Sequence, residues 1–378
     1  MKLMVVEMPC GAPEERASRA EAQEMRGVVQ FRDLRLRVET PASETFRSVL
    51  EMMVPACAVA PPHAVSQWTL KVQVQCPGAG IEDPLSVGRL VLELPYGGRR
   101  LTMVEATGGV LRLTAVYRPG EPSAGIEVDA QRGMTRLVVA SGDTVGLRWA
   151  DYLARVFFAS RLLAAGWRML HASAVAVDGR ALVFLAGRHG GKSTLAHRAV
   201  RELGALFMAD DLVLIGPDDT VVGWPTRVAV PAQLLHDTTV GRRERTVVAG
   251  VERDRVLFTP AQHRAALGIG YSPPVPLGAV VTVDGGEAAR ASARADTEVL
   301  ERAVARATRI PQQLLYVSDP LGLMGGPRLA DQVAAAPPAE GLLAGVPAAV
   351  ARVAVEDLPS APVWQVLEGI IPGAGRGR

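Results

Sequence analysis

The sequence predicts an α/β phosphate-loop domain joined to a β-rich N-terminal domain, and three observations carry that prediction. The apolar run Ala181–Leu185 leads into Ala186-Gly-Arg-His-Gly-Gly-Lys-Ser-Thr194, followed by Leu195–Val200, which reads as strand, tight loop and helix. A second apolar run, Ala205–Ala209, ends in Asp210-Asp211, 18 and 19 residues beyond Lys192. Ahead of both, short alternating runs follow one another at close spacing, with Gly97-Gly98 and Gly108-Gly109 marking turns.

The bulk numbers bound the function. A length of 378 residues suits two domains, and 48% hydrophobic content is enough for a substantial core. Charged residues make up 21% and the net charge is +2, which gives no electrostatic case for nucleic acid or a membrane surface. No apolar run approaches the roughly 18 residues of a membrane helix. Met1–Met8 is too short for a signal peptide and is interrupted by Glu7. Cys10, Cys57 and Cys76 are odd in number and lack a metal-like spacing, so a reduced, cytoplasmic protein is expected.

In chain order, residues 1–28 are polar and read as a mobile arm, and residues 29–146 form the β-rich domain. Within it Phe31–Val38 alternates as a strand. Ser43 caps a helix running to Val54, with Phe46, Leu50 and Met53 on one face. Thr69–Gln75 is a period-2 strand with Leu70, Val72 and Val74 facing in. Leu90–Leu94, Leu101–Glu105, Val110–Tyr117, Ile126–Val128 and Thr135–Val139 continue it as a meander. Nothing in this half gathers catalytic residue types; it serves substrate docking or homo-oligomer contacts.

Residues 147–371 form the phosphate-loop domain. Trp149–Ala165 is a helix with Trp149, Leu153, Val156, Phe157, Ser160 and Leu163 on one stripe, ended by Gly166. Met169–Val177 is extended, and Asp178-Gly179 turns it into a hairpin with Ala181–Leu185. The helix after the loop reaches about Leu203, with Gly204 as its cap. Gly216–Asp219 is a turn, and His236–Arg264 is charged and irregular. Leu277–Asp284 is a strand and Glu298–Ala307 a helix. Arg352–Val355 and Val363–Ile371 read as a last strand and helix, and 372–378 as a disordered tail.

The loop residues carry a specific chemistry. Backbone N–H groups and a helix N-terminus form an anion nest. Lys192 reaches the β/γ-phosphates and the Ser193 hydroxyl holds Mg²⁺. The chain uses lysine only at positions 2, 71 and 192, so a lysine at this position stands out against an arginine-rich background. Ala186 replaces the first glycine of the pattern and His189 occupies a place often held by glycine; an ordinary glycine-rich turn is the plainer reading. Asp210-Asp211 offers a metal ligand and a proton acceptor, or else a solvated turn. His171 reaches the loop from the side, or is a core histidine. The arginines from Arg242 to Arg255 form a lid over phosphate or a solvated loop.

Together, His171-Ala-Ser-Ala-Val175, Gly179, Lys192-Ser-Thr-Leu195 and Asp210-Asp211 resemble the HPr kinase/phosphorylase family, and more closely the HPr-kinase-related small kinases of bacterial gene clusters. The resemblance spans roughly residues 150–290, with a weaker echo at Arg352–Ile371. It implies a phosphoenolpyruvate-carboxykinase-like fold with a Walker A loop, and ATP and Mg²⁺ as ligands. The implied reaction transfers the γ-phosphate to a hydroxyl, that of a serine in a carrier protein or peptide, or of free serine. Carried over, the loop Ala186, Gly187, Arg188, His189, Gly190, Gly191, Lys192, Ser193 and Thr194 would cradle the nucleotide. Lys192 would stabilise the moving phosphoryl, and Ser193 and Asp210 would serve the metal. Asp211 would be the base, His171 matches the active-site histidine, and Arg227 would contact phosphate. The chain departs in lacking a counterpart of the family's Glu-Ile-Arg-Gly stretch, where Val228–Asp237 offers only Asp237.

Two further readings stand beside the kinase. The altered loop suits a non-catalytic nucleotide-binding scaffold. A transporter- or motor-type ATPase lacks its Leu-Ser-Gly-Gly-Gln-type signature here and ranks last.

Overall fold

A computed structural model describes residues 25–41, 43–54, 56–75, 88–96, 99–106, 110–118, 121–141, 146–187, 190–232, 235, 240–248, 251–284, 290–292, 297–312, 346 and 348–352. Residues 1–24 of the expected arm, the Gly97-Gly98 and Gly108-Gly109 turns, Arg188, His189, Asp237, the expected helix 363–371 and the tail 372–378 lie outside them.

β1 (Met25–Phe31) and β2 (Leu34–Thr40) form an antiparallel hairpin. Met25–Val28, expected in the arm, is thus strand. Phe31–Val38, expected as one strand, is two: Arg32 adopts φ 53° and reverses the chain at Arg32-Asp33. Phe31, Leu36 and Val38 still reach one core, because the hairpin pairs Phe31 with Leu34 and keeps the alternation in phase.

α1 (Ser43–Met53) buries Thr45, Val49, Met52 and Met53, with Phe46 and Leu50 at the margin of that stripe. The stripe is therefore centred on Val49 rather than Leu50. β3 (Ala58–Ala60) adds to β1, and β4 (Trp68–Gln75) lies parallel to β2. Trp68, Leu70 and Val72 are buried, but Val74 is 38% exposed, so the apolar cover over this strand ends one pair early. β5 (Gly88–Tyr96), β6 (Arg99–Ala106), β7 (Leu111–Arg118), β8 (Glu121–Asp129) and β9 (Met134–Ala140) form the expected antiparallel meander. It closes on β4 through β9, giving a nine-stranded sheet in the order β3-β1-β2-β4-β9-β8-β7-β6-β5.

α2 (Arg148–Ala164) runs across this sheet, and Gly166 at φ 84° lets the chain leave it. Trp149, Leu153, Val156 and Phe157 are buried as the spacing predicts. The core they join also takes in Met169, Leu212, Leu214 and Trp224, so one apolar layer is shared with the second sheet.

That second sheet is built from β10 (Arg168–Leu170), β11 (Ser173–Val177), β12 (Arg180–Ala186), β13 (Leu206–Ala209), β14 (Val213–Ile215), β15 (Thr220–Gly223) and β19 (Val275–Asp284). Their order is β10-β14-β15-β19-β12-β11-β13. β21 (Ala348–Arg352) lies beside β19, and β20 (Arg290–Ser292) pairs with β21. Met169–Val177, expected as one run, breaks at His171-Ala172. There the His171 N–H donates to Ala307 O of α5 (Thr297–Gln312) and the Ala172 N–H donates to Asp211 O. Asp178 and Gly179, at φ 50° and 74°, make the expected tight turn.

The charged stretch after His236 is more regular than its composition suggests. β17 (Arg242–Val248) and β18 (Val251–Phe258) pair, and β16 (Val228–Pro231) joins them as a three-stranded sheet in the order β16-β18-β17. α4 (Pro260–Leu267) follows, opened by a capping box between Thr259 and Gln262. Among the described residues no helix is long and apolar enough to cross a membrane.

The hairpin tip contacts the second sheet directly. The Arg32 guanidinium lies 4.8 Å from the Trp167 ring centre and donates to Asp218 Oδ2 at 2.8 Å and to Thr220 Oγ1. Both charged partners are about half exposed, so solvent screens the pair. Arg32→Ala is expected to lower stability by about 1 kcal/mol, read as a shifted urea midpoint with an unchanged slope. An unmoved midpoint would mean that the contact contributes nothing to stability.

Candidate phosphate-loop site

β12 delivers the loop. Its residues Ala181–Leu185 are almost wholly buried, flanked by β19 in parallel and β11 antiparallel. Ala186 is still in β12 and outside the positive-φ region, so its side chain is compatible with the turn. The loop accommodates that methyl further on: a Cβ at Gly190 would come within 2.7 Å of Ala186 Cβ. Gly191, at φ 88°, is left-handed and precedes the first residue of α3 (Lys192–Leu203). The N–H groups of that first turn have no intrahelical acceptors, which makes them an anion site in waiting. Gly204, at φ 67°, ends α3 as expected.

Lys192 is buried to 6% exposure. Its Nζ donates to the carbonyls of Ala186 and Gly187 at 3.3 Å each, folding back over the loop. Burial pushes its ammonium below the ordinary lysine range, against the pull of Asp211 and Asp210. Asp210-Asp211 follow β13, and β13 does not lie beside β12. The Asp178-Gly179 hairpin places β11 in that slot, and β13 pairs with the far edge of β11. Because β11 is antiparallel to both, the ends of β12 and β13 still share one end of the sheet.

Two hydroxyls tie that end together. Ser173 Oγ donates to the Asp210 main-chain oxygen at 2.6 Å, and Ser193 Oγ reaches the same oxygen at 3.3 Å. The Asp210 carboxylate accepts from Ala229 N–H through Oδ2, while Oδ1 is buried without a partner among the described residues. Burial, then the neighbouring Asp211 charge, push its pKa up to about 7. Asp211 is half exposed, and its Oδ1 stands 3.2 Å from His171 Nε2. His171 Nδ1 is buried and likewise has no partner among the described residues. His171, Lys192, Ser193, Asp210 and Asp211 are thus brought to one place. Arg227 stands in the connection from β15 to β16, one residue before Val228. Thr194 follows in the first turn of α3.

The donor set suits a polyphosphate with a divalent cation. An ammonium and a helix N-terminus are groups that would take anionic oxygens, and the Ser193 hydroxyl and the orphaned Asp210 Oδ1 are the type of ligand Mg²⁺ takes. The raised Asp210 pKa has a consequence for stability. The fold favours the protonated carboxyl, so the stability it contributes is full below about 3.8 and is lost as pH rises through about 7. Asp210→Asn is expected to melt several degrees above the wild type at pH 8, with the gap closing towards pH 4. Equal melting temperatures across that range would show that the carboxyl titrates normally.

Comparison with known proteins adds little to this geometry. No family model matches the chain, and no curated protein does. One solved structure that shows a likeness is the Hpr(Ser) kinase/phosphatase from Coxiella burnetii, at 11% identity, over 34% of this chain and 78% of that one, with a TM-score of 0.20. At that score the likeness carries no argument about function.

Three other side chains at this site are not singled out by any sequence pattern. His197 Nδ1 lies 2.6 Å from Ser193 O, His197 Nε2 lies 2.9 Å from His263 Nε2, and His263 Nδ1 lies 2.7 Å from the Tyr271 hydroxyl. Ser173 is equally inconspicuous, as one small residue in an apolar strand. The four-residue step from Ser193 to His197 along one helix face is the single local signal.

Proposed function

We propose that the chain is an ATP- and Mg²⁺-dependent kinase that transfers the γ-phosphate to a hydroxyl, the serine of a peptide or small protein. The observation that supports this most is the His171–Asp211 pair at 3.2 Å, at the same end of the sheet as Lys192. A plain nucleotide-binding loop has no use for a half-exposed carboxylate held by a histidine. A hydroxyl-activating site does.

In this reading the loop N–H groups and Lys192 hold the phosphates, and Ser193 and Asp210 hold the cation. Mg²⁺, when bound, neutralises charge on the phosphate oxygens. Asp211 takes the proton as the acceptor oxygen bonds to the γ-phosphorus and the bond to the ADP oxygen breaks. His171 orients Asp211. The β-rich domain, whose Met52 and Val54 line a small cavity that also meets Asp210, is the docking or self-association part.

The test is incubation with ATP and Mg²⁺ against candidate peptides and free serine, followed by mass spectrometry for the gain of one phosphoryl group. Product on a peptide supports the proposal, and product on free serine alone moves the acceptor to a small molecule. Tight ATP binding with no phosphorylated hydroxyl would sink the kinase and leave the scaffold.

A further inference from the structure

From the main-chain oxygen of Ser193, three polar rings form an unbroken hydrogen-bonded chain. The order of its protons follows from one end. Ser193 O is a carbonyl and accepts only, so His197 Nδ1 carries the hydrogen. A neutral His197 then has a bare Nε2, which takes a hydrogen from His263 Nε2 at 2.9 Å. That leaves His263 Nδ1 bare, and it accepts from the Tyr271 hydroxyl at 2.7 Å. Burial supports neutrality throughout: it lowers both histidines, His263 to about 3, and raises the Tyr271 phenol. The two histidines thus hold opposite tautomers.

Both ends of the chain are fixed. His263 is fully buried in α4, whose first turn is locked by the Thr259–Gln262 capping box. Next to Tyr271, the Ser272 N–H donates to Phe207 O and the Phe207 N–H donates to Gly270 O, in the strand that leads to Asp210. The Phe207 ring packs against His197, His263 and Tyr271 with centroids 4.8 to 5.1 Å away. The other end is the carbonyl of Ser193, beside Lys192. A purely packing core would use aliphatic side chains here, since a polar chain half satisfied is worse than none.

We propose that His197, His263 and Tyr271 are positioning residues, a polar strut that sets the first turn of α3, and with it Lys192 and Ser193, against the strand carrying the acidic pair. This rests on the reading of Gly187–Ser193 as a phosphate loop.

Three measurements test it on the whole chain. Nitrogen-15 NMR of the imidazoles should show hydrogen on Nδ1 of His197 and on Nε2 of His263; the same tautomer in both would overturn the strut. Hydrogen exchange over residues 190–196 should rise on the order of tenfold in His197→Leu, and in Tyr271→Phe, which keeps the ring packing. His197→Asn, whose amide keeps a donor towards Ser193 O, should recover most of that protection. Exchange that is unchanged, or raised equally everywhere, would reduce the three rings to ordinary packing. In kinetics the same variants should raise KM for ATP more than they lower kcat. A chain that binds no ATP would remove the kinase while exchange and tautomers still decide the strut.

Discussion

Lys192→Ala is expected to abolish phosphoryl transfer, by roughly 10³-fold or more, while the fold survives. The loss follows from the lack of a substitute: Lys2 and Lys71 are the only other lysines, and neither lies between residues 147 and 371. A cation aimed at charge that develops during transfer is among the largest single contributions a site makes. Survival of the fold follows from what Lys192 does in the free protein. Its Nζ makes two long hydrogen bonds to loop carbonyls and is held below its ordinary pKa by burial. A lysine depressed in this way opposes folding while it is protonated, and that opposition fades as pH rises towards its unfolded pKa. Truncation therefore should not lower the melting temperature at pH 7. Calorimetry and a transfer assay on the same preparation check both halves. Residual transfer above a few per cent would displace Lys192 from its role.

Asp211→Asn is expected to bind ATP about as tightly as the wild type and to turn over roughly 100-fold more slowly or worse. The carboxylate is half exposed and paired with His171, so the amide fits without repacking. What it loses is the ability to take a proton. The main-chain oxygen of Asp211, which accepts from Ala172 N–H, is untouched by the substitution, so the break between β10 and β11 is preserved. Near-normal rates in this variant with acceptor present would assign the base elsewhere, with His171 first in line.

The features legible in the sequence are those decided within a few residues. The apolar run of β12, the left-handed Gly191 and Gly204 at the two ends of α3, and the Asp178-Gly179 turn are all encoded locally. Even Ala186, an apparent defect, is matched within the loop by the bare Gly190. The features that local patterns misplace have a different cause. Phe31–Val38 conceals a reversal because Arg32 turns the chain without glycine or asparagine. The arginine-rich hairpin of β17 and β18 reads as irregular because charged side chains obscure a period of two. The placement of β11 between β12 and β13 depends on pairing across the sheet, which no local pattern encodes. The His197–His263–Tyr271 chain joins residues 66 positions apart through a helix that starts on a proline, and only folding reveals it.

The intervening strand β11 also acts as a spacer. Neighbouring strands lie about 4.8 Å apart, so the exits of β12 and β13 stand roughly 10 Å from each other, with the start of β11 between them. Between those exits lie His171, in the break before β11, and Ser173, the first residue of β11. A one-residue insertion between Ser173 and Val177, with the rest of β11 held in register, would turn Ser173 to the opposite face. The spacing of the two exits would stay the same, but the hydroxyl that clamps the Asp210 main-chain oxygen would be lost.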